Sequence, residues 1–278
     1  MKRTLPILIL LLLLNFFVWT AGLQSGNLVV TFFDIGQGDS ILIETPEGYQ
    51  VLVDGGPDTS ILRELGSELS FFDRSLDMII VTHPDQDHIG GFPEVFARYD
   101  IEHVLASSGV SDSETANTLL QRMEEEGAII FPAEVGQVIE LGDAVTLTVL
   151  YPDISAQSRS VNDASTVIRL EYGETSMLLT GDIEAGVESY LLSSSGVAEL
   201  LDVDVLKAAH HGSDSSSSLP FLSAVSPEYV VIQAGAGNRY GHPHSEVLER
   251  LSLFSEDVWC TCDEGRIVLE SDGERWIR

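Results

Sequence analysis

The run Thr82-His83-Pro84-Asp85-Gln86-Asp87-His88-Ile89-Gly90-Gly91 places four metal-ligand side chains within six residues. It follows Met78-Ile79-Ile80-Val81, which reads as a buried strand, and precedes residues 92–99, which read as a helix. In extended chain His83 and Asp85 point to the same side. Asp87 and His88 come after the bend and face a second point nearby. The two glycines let the backbone turn sharply and approach closely. Imidazole and carboxylate at this spacing are what a divalent metal site needs. Asp, His and Pro also make ordinary solvated turns. A solvated turn does not account for four ligand types between a buried strand and Gly-Gly.

Three other spots match this one, each directly after an expected strand. Asp182 follows the strand expected over 176–180, and a carboxylate has two oxygens with which to bridge two metals. His210 and His211 follow the strand expected over 203–209. His242 and His244 lie in Asn238-Arg239-Tyr240-Gly241-His242-Pro243-His244, ahead of a helix expected from Ser245. His103 has no such company and reads as an ordinary strand histidine.

The rest of the body repeats short strands with glycine turns. Residues 28–33, 40–45 and 50–53 form a meander. Hairpins are expected around Gly142-Asp143 and Gly173-Glu174, and Gly127 stops a helix over 116–126. The strands are read as antiparallel hairpins with helices interleaved, in two halves. That is an α+β arrangement of two sheets face to face with helices outside. Cys260 and Cys262, the only cysteines, fall in a strand expected over 258–262, where neighbours two apart rarely bridge well.

The chain has 278 residues and a formal charge of −30, and only two of its bases are lysines, Lys2 and Lys207. This composition fits a protein hydrated in concentrated salt, or an acidic exported protein kept soluble by self-repulsion. Either way the net field repels nucleic acid at ordinary ionic strength. Near molar salt the Debye length falls to roughly 3 Å and the repulsion fades. Lys2 and Arg3 precede an almost wholly apolar run over residues 5–23. This marks an N-terminal membrane anchor (residues 1–23), or a cleaved signal, with the body (residues 27–278) outside the cytoplasmic membrane or secreted.

Taken together, the motifs resemble the metallo-β-lactamase fold, and more closely the extracellular hydrolase domain of the ComEC DNA-uptake family. The motifs are Phe33-Asp34-Ile35-Gly36-Gln37-Gly38-Asp39-Ser40, Leu52-Val53-Asp54-Gly55-Gly56, the His83 to Gly91 run, Leu179-Thr180-Gly181-Asp182, the Lys207 to Ser213 run and Gly241-His242-Pro243. The resemblance implies a four-layer αβ/βα sandwich with one or two divalent ions, manganese or zinc with magnesium as a further choice, at the sheet edges. It implies His83 and Asp85 on one metal, Asp87 and His88 on the other, and Asp182 between them. One of His210 and His211 completes the second metal, with His210, directly at the strand end, preferred. Asp54 supports the ligands from behind. The superfamily has a histidine where Asp85 stands. A further superfamily histidine has no counterpart, and Asn162 or Asp163 offers oxygen there, so the first position is oxygen-rich.

The expected chemistry is metal-assisted hydrolysis of a phosphodiester, DNA or a smaller one. Asp87 or Asp182 orients the nucleophile and His242 protonates the leaving group. Lys207, Arg239 and Ser213 hold the phosphate. With at most one span expected, the chain is not itself a pore, and a separate transport pore would be its partner. Two rival readings keep the metal. One is hydrolysis of lactones, thioesters or β-lactams. The other is a membrane-tethered module whose metal is structural. Oligomeric state is left open by the sequence.

Overall fold

Met78 and Ile80 face one apolar layer while Ile79 and Val81 face another, and this double burial sets the architecture. The computed structural model describes residues 26–153 and 160–278. The segment expected as an anchor lies outside the described residues. Among those described, no helix is long and apolar enough to cross a membrane.

The first sheet has eight strands, in the order β15 (Trp276–Ile277), β14 (Ile267–Ser271), β1 (Leu28–Phe32), β2 (Ile41–Glu44), β3 (Gln50–Val53), β4 (Ser75–Val81), β5 (Asp100–Ala106) and β6 (Ile129–Pro132). The second has seven, in the order β13 (Asp257–Cys260), β12 (Tyr229–Ile232), β11 (Val205–Lys207), β10 (Thr175–Leu179), β9 (Val167–Tyr172), β8 (Val145–Tyr151) and β7 (Val138–Leu141). Val30, Phe32, Ile43, Val53 and Ile80 of the first sheet meet Leu147, Val149, Leu170, Met177 and Val205 of the second. The helices Ser60–Glu68, Phe92–Phe96 and Glu114–Glu126 cover the outer face of the first sheet through Ile61, Leu65, Phe92, Val95 and Leu119. The helices Ala185–Ser193, Leu219–Val225 and Ser245–Leu251 cover the second through Val187, Leu191, Phe221, Leu222 and Val247. The fold is the expected four-layer αβ/βα sandwich.

The pairing corrects the expectation of hairpins throughout. The strands from β3 to β6 pair in parallel, as do those from β10 to β13. Each of β3, β4, β5, β10, β11 and β12 is followed by a helix or long connection, and a crossover of that kind returns the chain to the same end of the sheet. The carboxyl ends of β3, β4, β10, β11 and β12 therefore gather at one end of the sandwich.

Two local features differ from the sequence reading or complete it. Cys260 and Cys262 form a disulfide. The strand ends at Cys260, the chain turns into the short helix Thr261–Glu264, and the Cα atoms come to 5.1 Å, within bridging range. His103 lies in β5, stacks on Phe131 at 5.9 Å, and lines a groove of about 410 Å³ between β6 and β7, away from the metal-ligand residues.

Candidate metal centre

Gly90 and Gly91 act through close approach. A Cβ on Gly90 would lie 1.9 Å from the Pro57 carbonyl oxygen, and one on Gly91 would lie 2.3 Å from that of Gly55. This contact holds the short helix Gln86–Ile89 against the end of β3, where Asp54 sits in a left-handed conformation (φ 56°) that Asp tolerates.

Asp54, fully buried, accepts from Thr82 N at 2.9 Å, from Thr82 Oγ1 at 2.6 Å, and from His88 Nδ1 at 2.7 Å. His88 Nδ1 therefore keeps its proton, and Nε2 is the nitrogen left to a metal. The Thr82 hydroxyl proton is committed to Asp54, so Thr82 Oγ1 accepts from His83 Nδ1 at 3.1 Å, with Ser165 Oγ 3.2 Å from the same nitrogen. His83 Nε2 is bare for the same reason. His211 Nδ1 donates to the Gln233 carbonyl at 2.9 Å, which leaves Nε2 as its metal-facing nitrogen too.

The three Nε2 atoms converge on Asp182. Its Oδ2 lies 3.3 Å from His88 Nε2, 3.3 Å from His211 Nε2 and 4.0 Å from His83 Nε2. Asp87 Oδ2 lies 3.5 Å from His211 Nε2, and Asp85 Oδ2 lies 3.8 Å from His83 Nε2. Nε2 of His83, His88 and His211 and Oδ1 of Asp182 are buried without a hydrogen-bond partner. A buried unpaired polar atom costs about 1–3 kcal/mol. Four around one point fit a divalent ion, and the imidazole and carboxylate donor set fits it chemically.

His210 and His211 both adopt left-handed backbone, with φ of 50° and 55°. Strained residues of this kind collect at functional sites. The conformation splits the two rings. His211 enters the cluster with His88 and Asp87. His210, preferred from its place at the strand end, turns toward Asn162, with 3.4 Å between Asn162 Nδ2 and its Nε2, and lies 3.8 Å from Asp182 Oδ2. It brings an imidazole to the side where the superfamily's further histidine has no sequence counterpart. Asp163 does not enter the cluster.

The charge states follow from these contacts. Burial pulls His88 and His211 down. The carboxylates of Asp182 with Asp54, and of Asp182 with Asp39, outweigh it and hold both well above the usual histidine range. Burial raises Asp182, but His211 and His88 hold it well below the usual carboxylate range. Against its burial, Asp87 is brought down to about 2 by His211 and His88. Burial and the charge of His88 push His83 down to about 3, so it stays neutral.

The cluster opens into a cleft of about 200 Å³ lined by Gln37, Asp85, Asn162, His210, Tyr240 and His242. Burial and the neighbouring His211, His210 and His244 bring His242 down to about 4. It is neutral at pH 7 and does not suit a leaving-group acid working from the imidazolium form. Arg239 is exposed and stacks its guanidinium over Tyr240 at 4.7 Å, at the rim. Lys207, expected as a phosphate clamp, is 1% exposed and pairs with the buried carboxylate of Asp39. It points into the protein because β11 is a central strand. Ser213 is buried, its Oγ 3.0 Å from Ser215 Oγ, which approaches His210 Nδ1 at 3.3 Å. It braces His210 rather than lining the cleft.

Four contributors had no role assigned from sequence: Asp39, Thr82, Ser165 and Gln233. Asp39 did carry a signal, since it adjoins Gly38. A Cβ on Gly38 would lie 2.1 Å from the Asp87 carbonyl, so this loop must lie flat against the ligand turn. The other three act through contacts between distant segments, which no local pattern reveals.

Comparison with known proteins agrees with this geometry. The family model described as the metallo-beta-lactamase superfamily matches residues 33–235. The chain is 33% identical over 255 residues to ComE operon protein 3 of Bacillus subtilis, covering 86% of this chain and 32% of that protein. It is 32% identical over 228 residues to competence protein ComA of Neisseria gonorrhoeae, covering 80% of this chain and 29% of that one. The chain thus spans about a third of the length of these curated relatives. The metallo-beta-lactamase fold protein YhfI from Bacillus subtilis shares the fold at a TM-score of 0.55 and 12% identity, covering 88% of this chain and 100% of that one. With the match running from the first glycine loop past the paired histidines, the chain belongs to the metallo-beta-lactamase superfamily.

Proposed function

We propose that the chain is a metal-dependent phosphodiesterase that cuts DNA outside the cytoplasmic membrane. The observation that carries the metal-dependent chemistry is the meeting at Asp182 of three buried Nε2 atoms that have no hydrogen-bond partner. The nucleic-acid substrate is supported by likeness to the competence protein and to ComE operon protein 3, of which this chain spans about a third.

His83, Asp85 and Asp182 would hold one divalent ion, and Asp87, His88, His211 and Asp182 a second. Manganese suits the oxygen-rich first position better than zinc. When bound, such an ion would lower the pKa of water and offset the charge that builds on the oxygens of the phosphorus under attack.

The chain's own side chains do the rest. Asp54 and Gln233 fix the tautomers of His88 and His211. Asp87, ionised and partly open to the cleft, accepts a proton-bearing oxygen and aims it. Neutral His242 hydrogen-bonds the departing oxygen. Arg239 is the cation left at the rim to meet a phosphate, since Lys207 is buried.

Labelled DNA, bis(p-nitrophenyl) phosphate and a simple lactone are the substrates to compare side by side, each with manganese, zinc and magnesium. The proposal expects both phosphodiesters to turn over and the lactone to survive. Lactone opening without phosphodiester cleavage would move the chain to carbonyl chemistry.

A further inference from the structure

The end of the sandwich opposite the metal cluster carries an apolar tip. Phe71 and Phe72 are 78% and 89% exposed, with rings edge to face at 5.3 Å between centroids. They lie just before β4, whose other end delivers His83. The Arg74 guanidinium stands 5.9 Å from the Phe71 ring and 5.6 Å from that of Tyr99. Leu253, 72% exposed, precedes β13 at the corresponding end of the second sheet. Single exposed apolar residues are ordinary. Two adjacent phenylalanines at a tip, with almost all of both rings in water, are not scattered background.

The chain enters the fold at this same end. β1 is antiparallel to β2, and β2 to β3, so β1 runs with β3 toward the metal cluster. Its start lies at the far end, where Gly26 packs against Pro46 of the β2–β3 turn. From that turn, Gln50 N donates to Asp77 Oδ2 at 2.7 Å and Gln50 Nε2 donates to Asp73 Oδ2 at 3.2 Å, which reaches the Phe71-Phe72 loop. The apolar run over residues 5–23 therefore leads into the body beside the exposed aromatic pair.

We infer that this end is a membrane-docking surface: Phe71 and Phe72 insert into the interface of the lipid bilayer to which the N-terminal segment leads. Phenylalanine rings bury into the boundary between headgroups and acyl chains, and the arginine beside them can reach the headgroups. The neighbouring carboxylates of Glu47, Asp73 and Asp77 make a zwitterionic bilayer the fitting surface. Docked this way, the body turns its metal cleft away from the membrane, open to a long substrate. The inference rests on the reading of residues 5–23 as an anchor.

The test uses the full chain reconstituted in phosphatidylcholine vesicles. Phe72→Cys carries an environment-sensitive fluorophore, and Val110→Cys, beyond the metal end of β5, carries the same dye in a second sample. Both positions are exposed, so the fold tolerates them. The expected result is blue-shifted emission at position 72, quenched by brominated lipid, with position 110 unshifted. A chain that floats with vesicles while position 72 stays in water overturns the docking and leaves the anchor standing. A chain that does not float overturns both. Shielding of position 72 without lipid, lost on dilution, assigns the tip to a second copy and overturns the proposal.

Discussion

His88 Nδ1 and Asp54 Oδ2 lie 2.7 Å apart, and neither side chain is exposed to solvent. The contact decides which nitrogen of His88 is offered to a metal. In Asp54→Asn, an amide NH₂ toward His88 forces the proton onto Nε2, and the flipped amide sets its NH₂ against the Thr82 N–H. Metal affinity is expected to fall by about 10–100-fold. Titration calorimetry checks this, and circular dichroism verifies that the fold persists. Unchanged affinity would show that Asp54 does not orient the ligand.

Metal binding must also displace protons. Without metal, His88 and His211 are held well above 6.5 and Asp182 well below 3.8. The raised histidines contribute stability that is full below 6.5 and lost as pH rises through their folded values. The depressed carboxylate contributes stability above 3.8 that is lost as pH falls through its folded value. These three groups therefore stabilise the fold most between the two reference values, while His83, pushed down to about 3, works against the fold as pH falls below 6.5. Added metal is expected to move the optimum upward and to release protons. Melting temperature against pH, with and without chelator, gives the first. Calorimetry in buffers of different ionisation enthalpy gives the second.

The buried pair of Lys207 and Asp39 yields a prediction about stability. Lys207→Met removes the lysine and leaves the Asp39 carboxylate, 2% exposed, with its histidine contacts alone, His211 Nδ1 at 3.2 Å. The expected loss is about 3–5 kcal/mol in denaturant unfolding. A surface phosphate clamp would instead leave stability unchanged and weaken only substrate binding.

Gly90→Ala tests the close approach behind the ligand turn. The added Cβ meets the Pro57 carbonyl at 1.9 Å, and backbone gives way poorly. Destabilisation of about 1–3 kcal/mol is expected. Metal affinity should fall with it, because the helix Gln86–Ile89 carries both Asp87 and His88. Thermal melts and metal titration on one sample show whether the two losses travel together.

Much of this was legible from local pattern. The ligand turn, Asp182 and the paired histidines each stand directly after an apolar run, and strand ends are where an αβ sandwich collects its site. Gly127 ends the helix Glu114–Glu126 with φ 76°, as the sequence signals, while the helix starts two residues ahead of the expected 116, capped by Ser113. What escaped depends on distant segments meeting. Lys207 looked like a scarce free cation because Asp39 lies far away in sequence. The choice between His210 and His211 turns on two consecutive left-handed residues, which no propensity foretells. Parallel pairing was missed because the hairpin signals at Gly142 and Gly173 were extended to strands that are separated by helices, where a crossover makes the pairing parallel.

Single-turnover cleavage of labelled single- and double-stranded DNA by the full chain tests the central claim most directly. It should be run with manganese, zinc or magnesium from low to molar salt, beside Asp87→Ala. The prediction is metal-dependent cutting that falls by roughly 10²-fold or more in the variant with its fold intact. The rate should also rise with salt, as the repulsion between DNA and a chain of charge −30 is screened. Metals bound at the cluster with no DNA cut in any of them, at any salt, would contradict the account.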